Sequence, residues 1–160
     1  MEAVIPKKLQ PGDRIHVVAP STSWSAICKT DLEKVSQKRA IERLESLGLR
    51  VTLGDHVWES GPFECPSVEQ RLDDLHKAFA DPDIAGIITV LGGWHANQIL
   101  HGIDFDLVAA NPKVFCGYSD ISVLHGAFLK KSNLVTYYGP HISTFGMKLG
   151  IEYTLEGFRR

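Results

Sequence analysis

The sequence predicts an α/β domain with an open, mostly parallel sheet flanked by helices. Three observations carry that expectation. Strand-like and helix-like segments alternate along the chain, as they do in β-α-β units. The segment "IAGIITVLGG" is β-branched and apolar on both faces, as a strand buried inside a parallel sheet must be. The segments that follow the predicted strands are rich in Gly, Ser, His and Pro, while those at the opposite edge are not. In an open α/β sheet that asymmetry marks the ligand-binding edge.

The elements follow in order. "RIHVVAP", Arg14 to Pro20, is an apolar strand stopped by proline. "DLEKVSQKRAIERLESLGL" has helical spacing, with Leu32, Val35, Leu44 and Leu47 on a broad stripe. Gly48 suits the left-handed residue that ends such a helix. "RVTLG" is a second strand, and residues 55–65, without any period, are a loop. "SVEQRLDDLHKAFADPD" is a second helix, capped by Ser67 with Gln70 completing a capping box. Its Val68, Leu72, Leu75 and Phe79 recur at helical spacing, and Pro82 lies just past its end. After the buried third strand, "WHANQIL" reads as a short helix and "PKVFCG" as a fourth strand. "DISVLHGAFLKK" is amphipathic, with Ile121, Leu124 and Phe128 on one face. "LVTYYGP" is a fifth strand, and "YTLEGFRR" begins another helix.

Composition narrows the function. The 160 residues are 44% hydrophobic and 22% charged, which suits one soluble globular domain with a real core. The formal net charge is −2 with Lys and Arg scattered, so neither a nucleic-acid nor a membrane partner is expected. No apolar stretch is long enough to span a bilayer, and the N-terminal segment has no signal-peptide core. Cys28, Cys65 and Cys116 are far apart without a CxxC pair, which predicts reduced thiols and a cytoplasmic location. Cys116 should be a small buried hydrophobe. None of the seven histidines has metal-ligand spacing, and neither GxGxxG nor a P-loop occurs, so neither a motif-built metal site nor a dinucleotide or P-loop nucleotide site is expected.

Two loops at the carboxyl edge stand out. In "GYSDIS", a serine follows a strand and precedes a helix, two residues after Gly117. That is the layout of a nucleophile elbow, where the serine projects into the cleft and the next N–H helps bind an oxyanion. The second glycine of GxSxG is absent, with Ile121 in its place. Ser119 or Asp120 could instead be a helix cap, which the local string taken alone favours. In "LGGWHANQ", Gly92 and Gly93 allow close approach and leave backbone N–H groups to face an anion. Trp94 could stack on a substrate or cover the sheet end. His95 and His141 lie in edge loops within reach of a ligand, while His125, on its amphipathic helix, packs or caps.

"LGGWHANQIL", "NPKVFCGYSDISVLHGAF" and "YYGPHIST" together resemble the LD-carboxypeptidase family of serine peptidases, and more narrowly its microcin C self-immunity branch. The match in order and spacing runs over residues 10–150. That resemblance implies Ser119 as acyl-enzyme nucleophile, with Asp120 and Gly93 supplying oxyanion-hole N–H groups. Gly92, Trp94 and Ser21 are then the expected substrate contacts. Ser122 replaces the family's usual threonine and keeps the hydroxyl. The family's Glu and His belong to a second, C-terminal domain. Residues 1–150 are therefore expected to form the nucleophile domain and 151–160 the start of a connection to a domain outside this chain, which alone should be inert. The implied substrate is a murein tetrapeptide or an aminoacyl nucleotide, with no cofactor; a homodimer stays open. Two rival readings also stay open: a non-catalytic α/β ligand-binding module and a half-domain that only dimerises.

Overall fold

The computed structural model describes residues 2–159. Among them, the strands are β1 (Arg14–Val18), β2 (Arg50–Leu53), β3 (Ile84–Thr89), β4 (Val114–Gly117) and β5 (Tyr137–Tyr138). They form one sheet in the order β2-β1-β3-β4-β5, and every pairing is parallel. The helices are α1 (Trp24–Ile27), α2 (Asp31–Ser46), α3 (Val68–Ala80), α4 (Phe105–Ala110), α5 (Ser122–Ser132), α6 (Ile142–Phe145) and α7 (Glu152–Arg159). Two 3-10 stretches, Ala96–Gly102 and Ser119–Ile121, complete the set. No described helix is long and apolar enough to cross a membrane.

The sheet is buried on both sides, which is why its central strands are apolar at consecutive positions. Neighbouring side chains point to opposite faces. Ile87 enters a core with α3, α4 and α5 that contains Leu75, Phe79, Phe115, Leu124 and Phe128. Ile88 enters the other core, with Ala40 and Leu44 of α2 and with Trp24, Ile142 and Phe145. The phenylalanines of the first core meet edge to face, Phe115 and Phe128 at 5.0 Å and Phe79 and Phe128 at 5.5 Å between ring centroids.

This topology fixes where a ligand can sit. The chain leaves β1 toward the α2 face and leaves β3 toward the α4–α5 face. Between those neighbouring strands the two connections part, opening a crevice at their carboxyl ends.

Several sequence expectations are met. Gly48 has φ +86°, the left-handed end of α2, and the Ser67–Gln70 capping box is formed. Cys116 is buried, and all three cysteines are free thiols. Other expectations need correction. Leu32 is 83% exposed and Val35 52%, because among the described residues nothing covers the first turns of α2. The apolar stripe becomes core only from Ala40 and Leu44 onward. "WHANQIL" forms a 3-10 stretch that begins at Ala96, and the fifth strand shortens to two exposed residues. The turns α1, α4 and α6 were not expected: each is four to six residues long, too short for a helical period to show.

Phe128→Ala should cost about 3–5 kcal/mol in chemical denaturation, because it opens a cavity among three rings. Leu32→Ala should stay within about 0.5 kcal/mol. Comparable losses at both positions would contradict this division of core and surface.

Candidate active site

β4 runs into α5 through a sharp turn. Tyr118 is extended, at φ −139° and ψ −169°. Ser119 then takes φ +66°, a left-handed conformation that a non-glycine residue adopts at a cost of about 1–3 kcal/mol. A side chain at Gly117 would collide with Thr89 and come within 3.2 Å of Ile121. Ser119 is exposed, and its backbone N–H donates to the Tyr138 hydroxyl at 3.3 Å. The side chain of neither Ser119 nor Asp120 makes a capping hydrogen bond to the helix that follows. The helix-cap reading of this turn is therefore set aside.

The Asp120 side chain turns toward two other loops instead. Its Oδ2 accepts from the Ser21 hydroxyl at 2.8 Å, from the His95 N–H at 3.0 Å and from the Ala96 N–H at 3.2 Å. One carboxylate oxygen thus joins the loops after β1, β3 and β4. Two glycines let those loops close. A Cβ on Gly92 would lie 2.7 Å from Ser119 Cβ and 2.9 Å from its Oγ. A Cβ on Gly93 would lie 2.5 Å from Ser21 Oγ and 2.6 Å from Thr22 Oγ1. Among the described residues, the Gly93 N–H has no protein acceptor.

The structure thus brings Ser119, Asp120, Gly92 and Gly93 together. Trp94 is 88% exposed beside them. Ser21 differs from expectation: it is fully buried with its hydroxyl on Asp120, so it braces the loops and has no surface to offer a substrate.

One residue central to this arrangement escaped the sequence analysis. Arg71 of α3 is only 3% exposed. It donates to the carbonyls of Pro20 at 3.2 Å, His95 at 2.9 Å and Ser67 at 3.3 Å, and to Gln98 Oε1 at 2.7 Å. Its signal was present in the sequence, since a charge at position 71 falls inside the apolar stripe of Val68, Leu72 and Leu75. A separate cleft of about 440 Å³, lined by His16, Asp55, Asp74 and Lys77, shares no residue with the site. Its groups are partnered within the protein, Lys77 with Asp55 and Asp73 and Asp74 with the His56 N–H.

Two histidines support the turn from below. His125 Nε2 donates to the Gly117 carbonyl at 2.9 Å, and its Nδ1 meets Thr136 Oγ1 at 2.8 Å. His141 is fully buried, with Nδ1 2.6 Å from Thr89 Oγ1 and its ring 4.2 Å from that of Tyr118. Neither is placed to contact a ligand as an exposed group; His95, half-buried beside Phe63, retains some exposure. Burial pushes the His141 pKa down to about 4 and lowers those of His125 and His16. The unfolded chain, with histidine near 6.5, then takes up protons first as pH falls. Stability from this source is complete above about pH 6.5 and is lost between there and about pH 4, roughly 3 kcal/mol for His141 alone. Urea midpoints should fall more steeply over that range in the wild type than in His141→Gln. Equal slopes would contradict the assignment.

The comparisons with known proteins agree with this fold. Residues 15–139 match the family described as LD-carboxypeptidase N-terminal domain, peptidase S66. A putative carboxypeptidase of Bacillus subtilis, YocD, is 46% identical over 94% of this chain and 45% of its own length. The murein tetrapeptide carboxypeptidase of Pseudomonas aeruginosa is 39% identical over 86% of this chain and 43% of its own. Among solved structures, an MccF-like protein from Bacillus anthracis superposes with a TM-score of 0.93 at 44% identity, over 98% of this chain and 46% of the other. The microcin C7 self-immunity protein MccF, in complex with aspartyl sulfamoyl adenosine, gives 0.89 at 26% identity over the same shares. The chain spans a little under half the length of these relatives. Its sequence and its sheet lead to one conclusion: the chain belongs to the LD-carboxypeptidase family, peptidase S66.

Proposed function

We propose that this chain is the nucleophile-bearing half of a serine-type amide hydrolase. The observation that carries the reading is the conformation of Ser119. It stands exposed at φ +66° on a strand-to-helix turn, with no capping role and with the Gly92-Gly93 loop against it. A fold keeps such strain where it holds a side chain in a working position.

In the scheme, Ser119 Oγ attacks the scissile carbonyl carbon and its proton passes to a histidine base oriented by a glutamate. Both partners are assigned to the portion of the relatives' length that this chain does not span. The carbonyl oxygen, now an oxyanion, accepts from the N–H groups of Gly93 and Asp120, each worth about 3 kcal/mol of transition-state stabilisation. The amine leaves with the histidine's proton, and water then cleaves the acyl-enzyme ester. The scheme itself calls for no metal or organic cofactor. Residues 1–150 are the nucleophile domain and 151–160 lead toward the domain with the base. The exposed Trp94 is a stacking surface for the substrate. Two substrate classes suit the scheme: a murein tetrapeptide, after the name of one relative, and an aminoacyl nucleotide, after the aspartyl sulfamoyl adenosine bound to another.

The intact enzyme should hydrolyse murein tetrapeptide or aspartyl sulfamoyl adenosine. Ser119→Ala should lower kcat/KM by at least about 10³-fold on whichever is cleaved. A Ser119→Ala enzyme that retains the wild-type rate would overturn the scheme. So would an isolated chain of residues 1–160 that hydrolyses either substrate through Ser119, since a serine without its base is a poor nucleophile.

A further inference from the structure

We propose that Arg71 and the Asp120 carboxylate are positioning residues that fix the distance between the two backbone donors of the oxyanion hole. The inference rests on the nucleophile reading above. In that reading the donors come from different loops, the Asp120 N–H from the turn after β4 and the Gly93 N–H from the loop after β3. Two such donors act on one oxygen only if the loops keep a fixed separation, and an error of about 1 Å at a reacting centre can cost about 100-fold in rate.

The hydrogen bonds at Asp120 meet that need. The residue whose N–H is one donor sends its own carboxylate to the loop that holds the other. Asp120 Oδ2 takes the N–H groups of His95 and Ala96, two and three residues after Gly93. Arg71 grips the same place from behind, through the His95 carbonyl at 2.9 Å. His95 is therefore held at both its N–H and its C=O, by opposite charges. A second hydrogen from the same Arg71 nitrogen reaches the Pro20 carbonyl, beside Ser21, whose hydroxyl completes the set on Asp120. Gly92, whose missing side chain leaves room for Ser119, lets the two loops meet. Burying a guanidinium is expensive, and an apolar residue in its place is often as stabilising. What an apolar residue cannot do is hold three backbone carbonyls and one amide oxygen in a fixed pattern.

The test uses the intact enzyme, with Ser119 counted by complete reaction with a fluorophosphonate and kcat expressed per titrated serine. Arg71→Met and Asp120→Asn should each lower that kcat by about 10–100-fold while KM stays within about threefold. The double variant should fall no further than the worse single variant, since both act through one loop. Should Arg71→Met not fold, Arg71→Lys, which keeps the charge but loses the planar fork, carries the same expectation. Fewer titratable serines with unchanged kcat per serine would mean a purely structural role. That result overturns the positioning claim and leaves Ser119 as nucleophile. Losses that multiply in the double variant overturn it as well. A wild-type enzyme in which Ser119 is never labelled overturns the nucleophile reading and this inference with it.

Discussion

A single carboxylate oxygen organises the carboxyl edge of this sheet. Asp120 Oδ2 accepts three hydrogen bonds, from Ser21, His95 and Ala96, and these lie on loops up to 99 positions away in sequence. Bonds to an ionised acceptor are roughly twice as strong as neutral ones, and two of these donors are backbone amides, of which that of His95 also reaches the Ser21 hydroxyl at 3.3 Å. The loops after β1, β3 and β4 therefore take one arrangement relative to each other. The exposed position of Ser119, the contact with Gly92 and the outward face of Trp94 all depend on it.

The sheet makes such a junction feasible. Because the connections after β1 and β3 leave toward opposite faces, the crevice between them is open where the loop after β4 enters. The cores on either side of the sheet keep the strand ends rigid beneath it. His125 and His141 then hold the underside of the turn as neutral donors and acceptors, through Gly117, Thr136 and Thr89. A strained serine survives in this place because its neighbours are fixed on every side.

Much of this was legible in the sequence, and the parts that were not share a cause. The α/β class, the ligand-binding edge, the Ser67 cap and the left-handed Gly48 followed from local pattern, and the pairing of Gly92-Gly93 with Ser119 from the family resemblance. Hydrophobic period registers what one element repeats, and glycine registers where a turn needs room. Neither registers what lies across from a residue. Leu32 and Val35 fit the helical period, but no part of the described chain covers them. Ser21 lies on the right loop, but its hydroxyl is turned inward by Asp120. Arg71 interrupts an apolar stripe, a visible anomaly whose meaning depends on carbonyls 24 and 51 residues away. The local string around Ser119 favoured the cap, and the missing side-chain cap bonds together with φ +66° decided against it.

Everything in this arrangement turns on where an oxyanion would be held. The most direct measurement is a crystal structure of the intact enzyme after reaction with a tetrahedral phosphonate. The expected result is a covalent bond from Ser119 Oγ to phosphorus, with one phosphonyl oxygen about 3 Å from the N–H groups of both Gly93 and Asp120. A phosphonyl oxygen directed to solvent or held by other donors, or an adduct on another residue, would contradict it.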